Sequence, residues 1–187
     1  TKKECGESEV GEVWVGGKSI TSGYLNRPRQ TAETFVEVEN ERFLRTGDLG
    51  FVSQNELFVT GRIKDLIIIR GKNHYPQDIE QTVFNAHQSL QPNSCAAFSI
   101  ESDGEEKLVI VQEIKRTFLQ EVDFESVLNL ILAEVSQNHG LNPADIVFIR
   151  PGRLPKTTSG KIQRRKCRQM WLEVRLNSIA KLSEYRK

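Results

Sequence analysis

The segment 154–162 combines small, hydroxylated and basic residues, which makes it a first candidate for chemistry. It reads Leu-Pro-Lys-Thr-Thr-Ser-Gly-Lys-Ile. Glycine and small hydroxylated residues predict a mobile loop that exposes its backbone, and Lys156 and Lys161 could reach phosphates from it. Seven residues separate Gly152 from Gly160 where a Walker A loop has four, and isoleucine follows the lysine. We therefore expect a phosphate-binding loop that is not that of a P-loop NTPase.

A second candidate is Asp48, in the segment Arg-Thr-Gly-Asp-Leu at positions 45–49. A glycine beside an aspartate at a strand end predicts a carboxylate on an exposed turn. Its two acceptor oxygens could take hydrogen bonds from two vicinal hydroxyls, such as those of a ribose. The alternative is an ordinary turn aspartate that binds its own backbone, which the spacing alone favours.

Two further segments carry charge next to predicted strands. Residues 61–65, Gly-Arg-Ile-Lys-Asp, are either a charged linker between two β segments or a surface strand with a salt bridge. Residues 70–76, Arg-Gly-Lys-Asn-His-Tyr-Pro, follow an aliphatic run. Gly71 there allows close approach of another backbone or a thin ligand. The alternative for 70–76 is a plain strand-to-helix turn.

The formal charge of +1 conceals a strong asymmetry. Residues 150–187 hold 12 Lys/Arg and 2 Asp/Glu, a segment charge of +10, which leaves −9 for the remainder. Such a segment attracts anions: phosphates, nucleic acid, an anionic lipid surface or an acidic protein. Its densest part is the cluster Arg164, Arg165, Lys166 and Arg168, which we expect to be exposed. The alternative is a solvated helix face without a target.

Composition excludes several classes of protein. Hydrophobic residues make up 37% and charged residues 27%, and no apolar run approaches the ~18 residues of a transmembrane helix. The first residues lack the apolar stretch of a signal peptide, so a cytoplasmic location is expected. The three cysteines and three histidines fit neither a disulfide framework nor a zinc site. We expect reduced thiols.

The elements that position these residues change in character near 61–65. The first third predicts strands at 10–15 and 42–45, a turn at 24–28, and a β-hairpin over 51–59. From residue 66 onward the pattern predicts the order β-α-β-β-α-β-loop-α, which indicates a small α+β domain.

Capping residues define the helices of this second part. Pro76 opens the first, with Asp78 and Glu80 expected in its first turn. Asp123 caps the second and Gly140 stops it. A basic amphipathic helix is expected from about Gln163 to the chain end, with Met170, Trp171 and Val174 on its apolar side.

Taken in order, the motifs resemble those of the adenylate-forming superfamily, which includes acyl-CoA synthetases, luciferases, adenylation domains and fatty acyl-AMP ligases. The matching segments are 11–15 (Gly-Glu-Val-Trp-Val), 23–28 (Gly-Tyr-Leu-Asn-Arg-Pro), 46–49 (Thr-Gly-Asp-Leu), 61–65 and 155–162. Where many relatives carry a second arginine two residues after the glycine, this chain has Asn73. The segment 70–80 is instead similar to fatty acyl-AMP ligases.

The resemblance implies a domain organisation. Residues 1–63 would be the β-rich end of a large N-terminal adenylation domain and 64–65 a hinge. Residues 66–187 would form a C-terminal lid domain of α+β class, with a mixed sheet and about three helices. The family's ATP-phosphate loop and acyl pocket lie N-terminal to these motifs, so the chain resembles the C-terminal third of a longer enzyme.

The resemblance also implies an activity: ATP-dependent activation of a fatty acid as an acyl-adenylate, then transfer to a thiol. The acceptor would be an acyl carrier protein or a polyketide synthase carrier domain, with coenzyme A as the alternative. Mg²⁺ would accompany ATP, with no metal ligand in this chain. A further alternative is that the isolated chain is an inactive lid module.

By matching position, the resemblance assigns five residues. Asp48 and Arg62 would hold the ribose hydroxyls. Lys161 would be catalytic, between the carboxylate and the α-phosphate, and Lys64 would be the hinge. Gly71 would line the pantetheine tunnel.

Nucleic-acid binding is disfavoured, because Trp171 and Tyr185 suit core or edge positions better than base stacking.

Overall fold

The protein forms two compact units in a computed structural model that describes residues 3–185. The first unit ends at Lys64 and the second begins at Asp65. Residues 1 and 2, and Arg186 and Lys187 of the basic segment, lie outside the described residues.

The described residues contain ten strands and four helices. The strands are β1 (Gly11–Gly16), β2 (Phe35–Val38), β3 (Glu41–Ser53), β4 (Glu56–Arg62), β5 (Ile67–Ile69), β6 (Lys72–His74), β7 (Leu90–Ser102), β8 (Glu105–Ile114), β9 (Asp145–Ile149) and β10 (Ser178–Lys181). The helices are α1 (Pro28–Thr34), α2 (Pro76–Ala86), α3 (Phe124–His139) and α4 (Arg164–Leu172).

The first unit is built on one antiparallel sheet around β3, which pairs with β1, β2 and β4. The expected hairpin is confirmed: Gln54 and Asn55 join β3 to β4 with φ of 51° and 61°, the left-handed values of a tight two-residue turn. The strand expected at 42–45 is much longer, because β3 continues through 46–49 to Ser53. Helix α1 follows the expected turn at 24–28 and starts at Pro28.

The second unit contains a four-stranded sheet in the order β10-β9-β8-β7. Strands β8 and β9 are parallel and the other two pairs are antiparallel, so the expected mixed sheet is confirmed. The parallel pair is joined through α3, the type of crossover that parallel strands require.

Both faces of this sheet are covered. Alternate residues of β7, β8 and β9 belong to one apolar cluster with α2 and α3, and the intervening residues belong to a second cluster with Cys167 of α4 and Leu154. Ile110 and Val111, neighbours in β8, are both fully buried in opposite clusters. The sheet is thus the centre of the second unit and carries the candidate segments on its surface.

The predicted caps are confirmed for the two longer helices. Pro76 starts α2. The Ser126 N–H donates to Asp123 Oδ1 over 3.4 Å at the start of α3, and Gly140 ends that helix with φ of 66°. Glu80 differs from the prediction: it lies beyond the first turn of α2, where it is buried.

The chain end also differs from the prediction. Helix α4 is nine residues long and ends at Leu172, after which the chain returns to the sheet as β10. Val174, expected on the apolar side of a longer helix, has φ of 54° and is 79% exposed. Within residues 3–185, no helix is both long and apolar enough to cross a membrane.

Candidate functional site

Asp48 and Arg62 form an ion pair in the first unit. They are register partners on β3 and β4, and Arg62 Nε donates to Asp48 Oδ1 over 2.7 Å. The Asp48 side chain is 33% exposed and that of Arg62 is 64% exposed. A charged carboxylate that accepts hydrogen bonds and a charged guanidinium that donates them therefore lie side by side at the surface of this unit.

A β-bulge presents Asp48. On β1, Glu12 pairs with Leu49 and Trp14 with Arg45, so the three residues 46–48 oppose Val13 alone. The Thr46 hydroxyl donates to the Val13 carbonyl over 2.7 Å and accepts from the Asp48 N–H over 3.0 Å. Gly47, with φ of 73°, allows the backbone to bend there.

This geometry corrects one expectation and decides between two alternatives. Asp48 lies within a continuous strand and not on a turn at a strand end, because β3 pairs with β4 beyond the bulge. Arg62 lies in β4, so the first part of 61–65 is the surface strand with a salt bridge rather than a linker.

The segment 154–162 folds into a tight turn that hydrogen-bonds to itself. Lys156 and Ile162 form an antiparallel bridge. The Thr157 N–H donates to the Lys161 carbonyl over 2.8 Å, and the Lys161 N–H donates to Thr157 Oγ1 over 3.0 Å. Gly160 completes the turn with φ of 80°. The loop backbone is thus engaged within the loop and less open than expected.

The two lysines of this loop have different surroundings. Lys156 Nζ donates to Ser94 Oγ of β7 over 2.8 Å, which holds the loop against the sheet. Lys161 is exposed. Lys161 is therefore the loop lysine that is available to an anionic ligand.

Lys64 and Gly71 lie in short connections. Lys64 is exposed in a 3₁₀ turn over Ile63–Asp65, where the first compact unit ends. Gly71 and Arg70, with φ of 73° and 52°, form the two-residue turn between β5 and β6. Strand β6 was not expected, and the turn at Gly71 is a hairpin rather than a strand-to-helix turn. A Cβ on Gly71 would meet no atom within 4 Å, so open space adjoins it.

The structure brings together three charged residues that the sequence did not connect. Arg164 Nε and Nη2 donate to Glu80 Oε1 and Oε2, each over 2.6 Å, and Nη1 lies 3.3 Å from Asp65 Oδ2. Glu80 Oε1 also accepts the Ala97 N–H of β7 over 3.0 Å. The side chains of Arg164, Glu80 and Asp65 are only 14%, 10% and 21% exposed.

Burial raises the pKa of Glu80, and its hydrogen bonds with Arg164 oppose that shift. Burial alone would lower the pKa of Arg164, but its contacts with Glu80 and Asp65 raise it above the ordinary value. We take the bidentate 2.6 Å geometry to mean a charged pair. One sequence feature could have indicated this buried pair. Glu80 lies next to Ile79 and near Val83, on the face that α2 buries.

Arg164 therefore does not belong to an exposed basic cluster, which corrects that expectation. Arg165, Lys166 and Arg168 are exposed, and Arg168 Nε donates to the Ser99 carbonyl over 2.9 Å. Trp171 is partly buried, packs against the core and donates to Asp145 Oδ2 over 2.9 Å, as expected of a core or edge position. Among residues 3–185, no group of three or more His, Cys, Asp and Glu could hold a metal ion.

Comparison with known protein families gives a match over most of the second unit. The family model described as "Disco-interacting protein 2-like, AMP domain" matches residues 64–181. This match begins at the residue where the first compact unit ends.

Two curated relatives match almost the whole chain. The medium-chain-fatty-acid–[acyl-carrier-protein] ligase JamA of Moorena producens is 48% identical over 177 residues, covering 92% of this chain and 30% of JamA. The putative fatty-acid–CoA ligase fadD21 of Mycobacterium leprae is 43% identical over 176 residues, covering 88% of this chain and 30% of that protein. The chain thus spans about 30% of the length of these relatives.

Two solved structures also match almost the whole chain. McyG A-PCP complexed with phenylalanyl-adenylate has a TM-score of 0.76 and 30% identity, covering 92% of this chain and 30% of that one. The fatty acyl-adenylate ligase from L. pneumophila in complex with acyl adenylate and pyrophosphate has a TM-score of 0.50 and 43% identity, covering 95% and 31%.

Proposed function

Because this chain is a portion of an adenylate-forming enzyme and belongs to the family described as Disco-interacting protein 2-like, AMP domain, we propose that it is the C-terminal portion of an ATP-dependent fatty acid–AMP ligase. The observation that carries the proposal is the 48% identity over 177 residues with a fatty-acid–[acyl-carrier-protein] ligase. In this assignment residues 1–63 end the large adenylation domain, 64–65 are the hinge, and 66–187 are the lid.

The proposed reaction has two steps. In the first, the fatty acid carboxylate attacks the α-phosphorus of ATP, the bond to pyrophosphate breaks, and acyl-AMP forms. In the second, a thiol attacks the acyl carbonyl and loses its proton, the bond to AMP breaks, and a thioester forms. The relative from L. pneumophila was solved with both products of the first step, acyl adenylate and pyrophosphate.

Asp48 and Arg62 are proposed to hold the ribose hydroxyls of the nucleotide. Support comes from the ion pair itself: the partly exposed carboxylate offers acceptors for two vicinal hydroxyls, and the Arg62 guanidinium both positions it and retains further donors. The bulge at 46–48 ends at Asp48, and bulges of this kind are common beside active sites, where they redirect a side chain.

Lys161 is proposed to act in adenylation. Two anions must approach each other in that step, and a fixed ammonium between them lowers the repulsion and stabilises the developing charge. The self-bonded loop supports this role because it holds the Lys161 backbone in place and leaves the side chain exposed.

Lys64 and Gly71 are proposed to serve the second step. Lys64 lies where one compact unit ends, which suits a pivot for residues 66–187. Gly71 is proposed to line the passage of a pantetheine arm, where a side chain would obstruct it. A Cβ on Gly71 would meet no atom within 4 Å, so the space beside it is free for such a ligand. Mg²⁺ is proposed to accompany the ATP phosphates, and we assign it no residue of this chain.

The proposed acceptor is the thiol of an acyl carrier protein or of a polyketide synthase carrier domain. The alternative is coenzyme A, which is favoured by one observation, the 43% identity with a putative fatty-acid–CoA ligase of Mycobacterium leprae. Both acceptors present the same pantetheine thiol, so the residues assigned above serve either.

The test is acyl transfer by the full-length ligase to a holo carrier protein and to coenzyme A in parallel. Release of pyrophosphate on addition of fatty acid and ATP reports the first step, and mass spectrometry of the acceptor reports the second. Loading of the carrier with little acyl-CoA supports the proposal. Pyrophosphate release followed by acyl-CoA alone assigns the alternative acceptor, and no fatty-acid-dependent release contradicts both.

The 187-residue chain by itself is proposed to be an inactive module. It spans about 30% of its curated relatives. The superfamily resemblance also places the ATP-phosphate loop and the acyl pocket N-terminal to the motifs of this chain. A thermal shift assay with ATP tests this. An unchanged melting temperature is expected, whereas a concentration-dependent rise would show that this chain binds the nucleotide alone.

A further inference from the structure

Arg164 connects two segments to which the proposed function gives separate roles. It is the first residue of α4, three residues after Lys161, and it contacts Asp65, the residue directly after Lys64. Its two partners, Glu80 and Asp65, lie 84 and 99 residues earlier in the sequence. A single guanidinium therefore joins the end of the Lys161 loop to the start of the second unit.

The same loop is tied at both ends to one strand. At its start, Lys156 Nζ donates to Ser94 Oγ of β7. At its end, Arg164 is held by Glu80, whose Oε1 accepts the Ala97 N–H of the same strand. The Gln163 N–H closes the base of the loop by donating to the Pro155 carbonyl over 2.9 Å. The loop is thus fixed on the sheet, and Asp65 is added to that assembly through Arg164.

The low exposure of Arg164, Glu80 and Asp65 restrains the contacts between them. A buried guanidinium is tolerated only with its partners in place, and Arg164 offers a planar fork that meets Glu80 with two parallel hydrogen bonds and has Nη1 left for Asp65. Lysine has a single point charge and could not make the three contacts in this geometry.

We propose that Arg164 is a positioning residue that joins the Lys161 loop to Asp65, the residue just past Lys64, so that the loop and Asp65 move as one body about Lys64. The inference rests on the proposed function for its kinetic consequences. With Asp65 held by Arg164, rotation is confined to Lys64, and the Lys161 ammonium is carried to a defined place. Without the contact between Arg164 and Asp65, rotation would involve both Lys64 and Asp65, and the Lys161 loop would be placed less accurately.

The decisive variant is Asp65→Ala in the full-length ligase. It removes the link to the pivot but leaves the bidentate Glu80–Arg164 pair, so the second unit keeps its buried charges compensated. The matched control is Glu173→Ala, which removes the 2.7 Å ion pair with Arg175 just beyond the other end of α4. Asp65→Glu returns a carboxylate and serves as the conservative rescue.

Two readouts are compared. For Asp65→Ala, single-turnover kinetics are expected to show acyl-AMP formation and acyl transfer both slowed on the order of 10-fold, with the KM for ATP unchanged, because misplacement of a positioned group lowers rate more than ground-state binding. Asp65→Glu is expected to recover most of this loss, and Glu173→Ala to match wild type.

Hydrogen exchange supplies the second readout and does not depend on catalysis. Faster exchange at residues 61–68 and at the loop amides of Thr157, Gly160 and Lys161, with β7–β9 unchanged, supports the inference. Wild-type exchange at both places, or an equal rise throughout β7–β9, overturns it. A wild-type enzyme without acyl-AMP formation would contradict the proposed function, while the exchange result would still decide on the link.

Discussion

Lys161 shows at the scale of one residue how a loop can supply a fixed charge. Its backbone N–H and carbonyl are both bonded within the loop, to Thr157, while its side chain is exposed. In the full-length ligase, Lys161→Ala is expected to reduce acyl-AMP formation by about 10²–10³-fold, the scale for loss of one electrostatic stabiliser. Transfer from presynthesised acyl-AMP is expected to stay near the wild-type rate, as measured by quenched-flow assays.

Lys166→Ala is the matched control, because it removes an exposed lysine from α4. Its adenylation rate is expected to equal that of wild type. Equal losses in both half-reactions of Lys161→Ala would show that the lysine does not act in adenylation alone.

The three cysteines give a second prediction at this scale. Cys5 is exposed, whereas Cys95 and Cys167 are buried. Burial raises the pKa of Cys167 to about 12 and that of Cys95 well above its ordinary value, so neither thiol ionises at pH 8. Native protein is expected to react with Ellman's reagent at one cysteine per chain and unfolded protein at three. Labelled peptides containing Cys95 or Cys167 from native protein would contradict this.

The sequence predicted those site residues that lie in contiguous motifs, and it did not predict those that meet only in the folded chain. Asp48, Arg62 and Lys161 stand in contiguous motifs, so their positions were visible in the sequence, although their roles remain proposals. The Asp65–Glu80–Arg164 network was not predicted, because its members come from three distant segments and meet only when α2 and α4 pack on the sheet. A charge that appears solvated in the sequence was in fact the centre of a buried ion network.

At the scale of elements, the β5–β6 hairpin separates two reasons for a glycine at position 71. The turn needs a left-handed φ, and the proposed passage needs an absent side chain. Gly71→Asn meets the first need, since asparagine tolerates this conformation, but not the second. Adenylation and melting temperature are therefore expected to stay close to wild type, while transfer to the carrier thiol falls several-fold.

Gly104→Asn is the control for this hairpin prediction. Gly104 has φ of 75° in the β7–β8 turn, and a Cβ there also meets no atom within 4 Å. Its transfer rate should equal that of wild type. A Gly71→Asn enzyme with unimpaired transfer would show that this glycine serves the turn only.

The 3₁₀ turn over Ile63–Asp65 gives a prediction about the pivot. Lys64→Pro fixes φ near −65° and removes an N–H, which blocks a large backbone rotation. Acyl-AMP is expected to form at about the wild-type rate, and transfer is expected to fall at least 10-fold. Lys64→Ala, which keeps φ free, should transfer normally. Unimpaired transfer by the proline variant would exclude a hinge at this residue.

Elements with strong local signals were predicted, and elements defined by pairing were not. Pro76, Asp123 and Gly140 marked the ends of α2 and α3 correctly. Strand β6 escaped notice because its three residues, Lys-Asn-His, have low strand propensity and depend on pairing with β5. The short β10 escaped it because its partner, β9, lies some 30 residues earlier in the chain.

At the scale of the whole molecule, the +10 charge of residues 150–187 is partly used internally. Arg164 is buried, and the exposed cations of α4 are Arg165, Lys166 and Arg168. If these face an acidic carrier protein, complementary charge speeds the encounter and makes it sensitive to salt. An Arg165→Glu/Lys166→Glu ligase is expected to transfer several-fold more slowly at low ionic strength, with a flatter salt dependence and unchanged adenylation.

The control for this charge reversal is Arg29→Glu/Glu33→Arg, which inverts an exposed ion pair on α1 without changing net charge. Its salt dependence should match that of wild type. Equal salt slopes for the α4 variant and wild type would leave Arg165 and Lys166 without a role in docking.

The overall class was predictable because it depends on the order of elements. The α+β class of the second unit was predicted from the order β-α-β-β-α-β. The mixed sheet was expected from the family resemblance, and α3 provides the crossover between the parallel strands β8 and β9. The change in composition near 61–65 coincides with the boundary between the two compact units at Lys64. The length and pairing of β3 were less predictable, because a bulge hides the continuity of that strand in the sequence.

Strand β10 has a consequence for solubility. All five residues of β9 are buried, and the four residues of β10 cover its outer side. An apolar strand with free backbone donors and acceptors is a template for strands of other molecules. We therefore expect the segment Ser178–Lys181 to prevent edge-to-edge aggregation by occupying the edge of β9. The matched family region extends through this segment to residue 181. A protein truncated before Ser178 would keep every residue of the proposed chemistry and still be expected to self-associate.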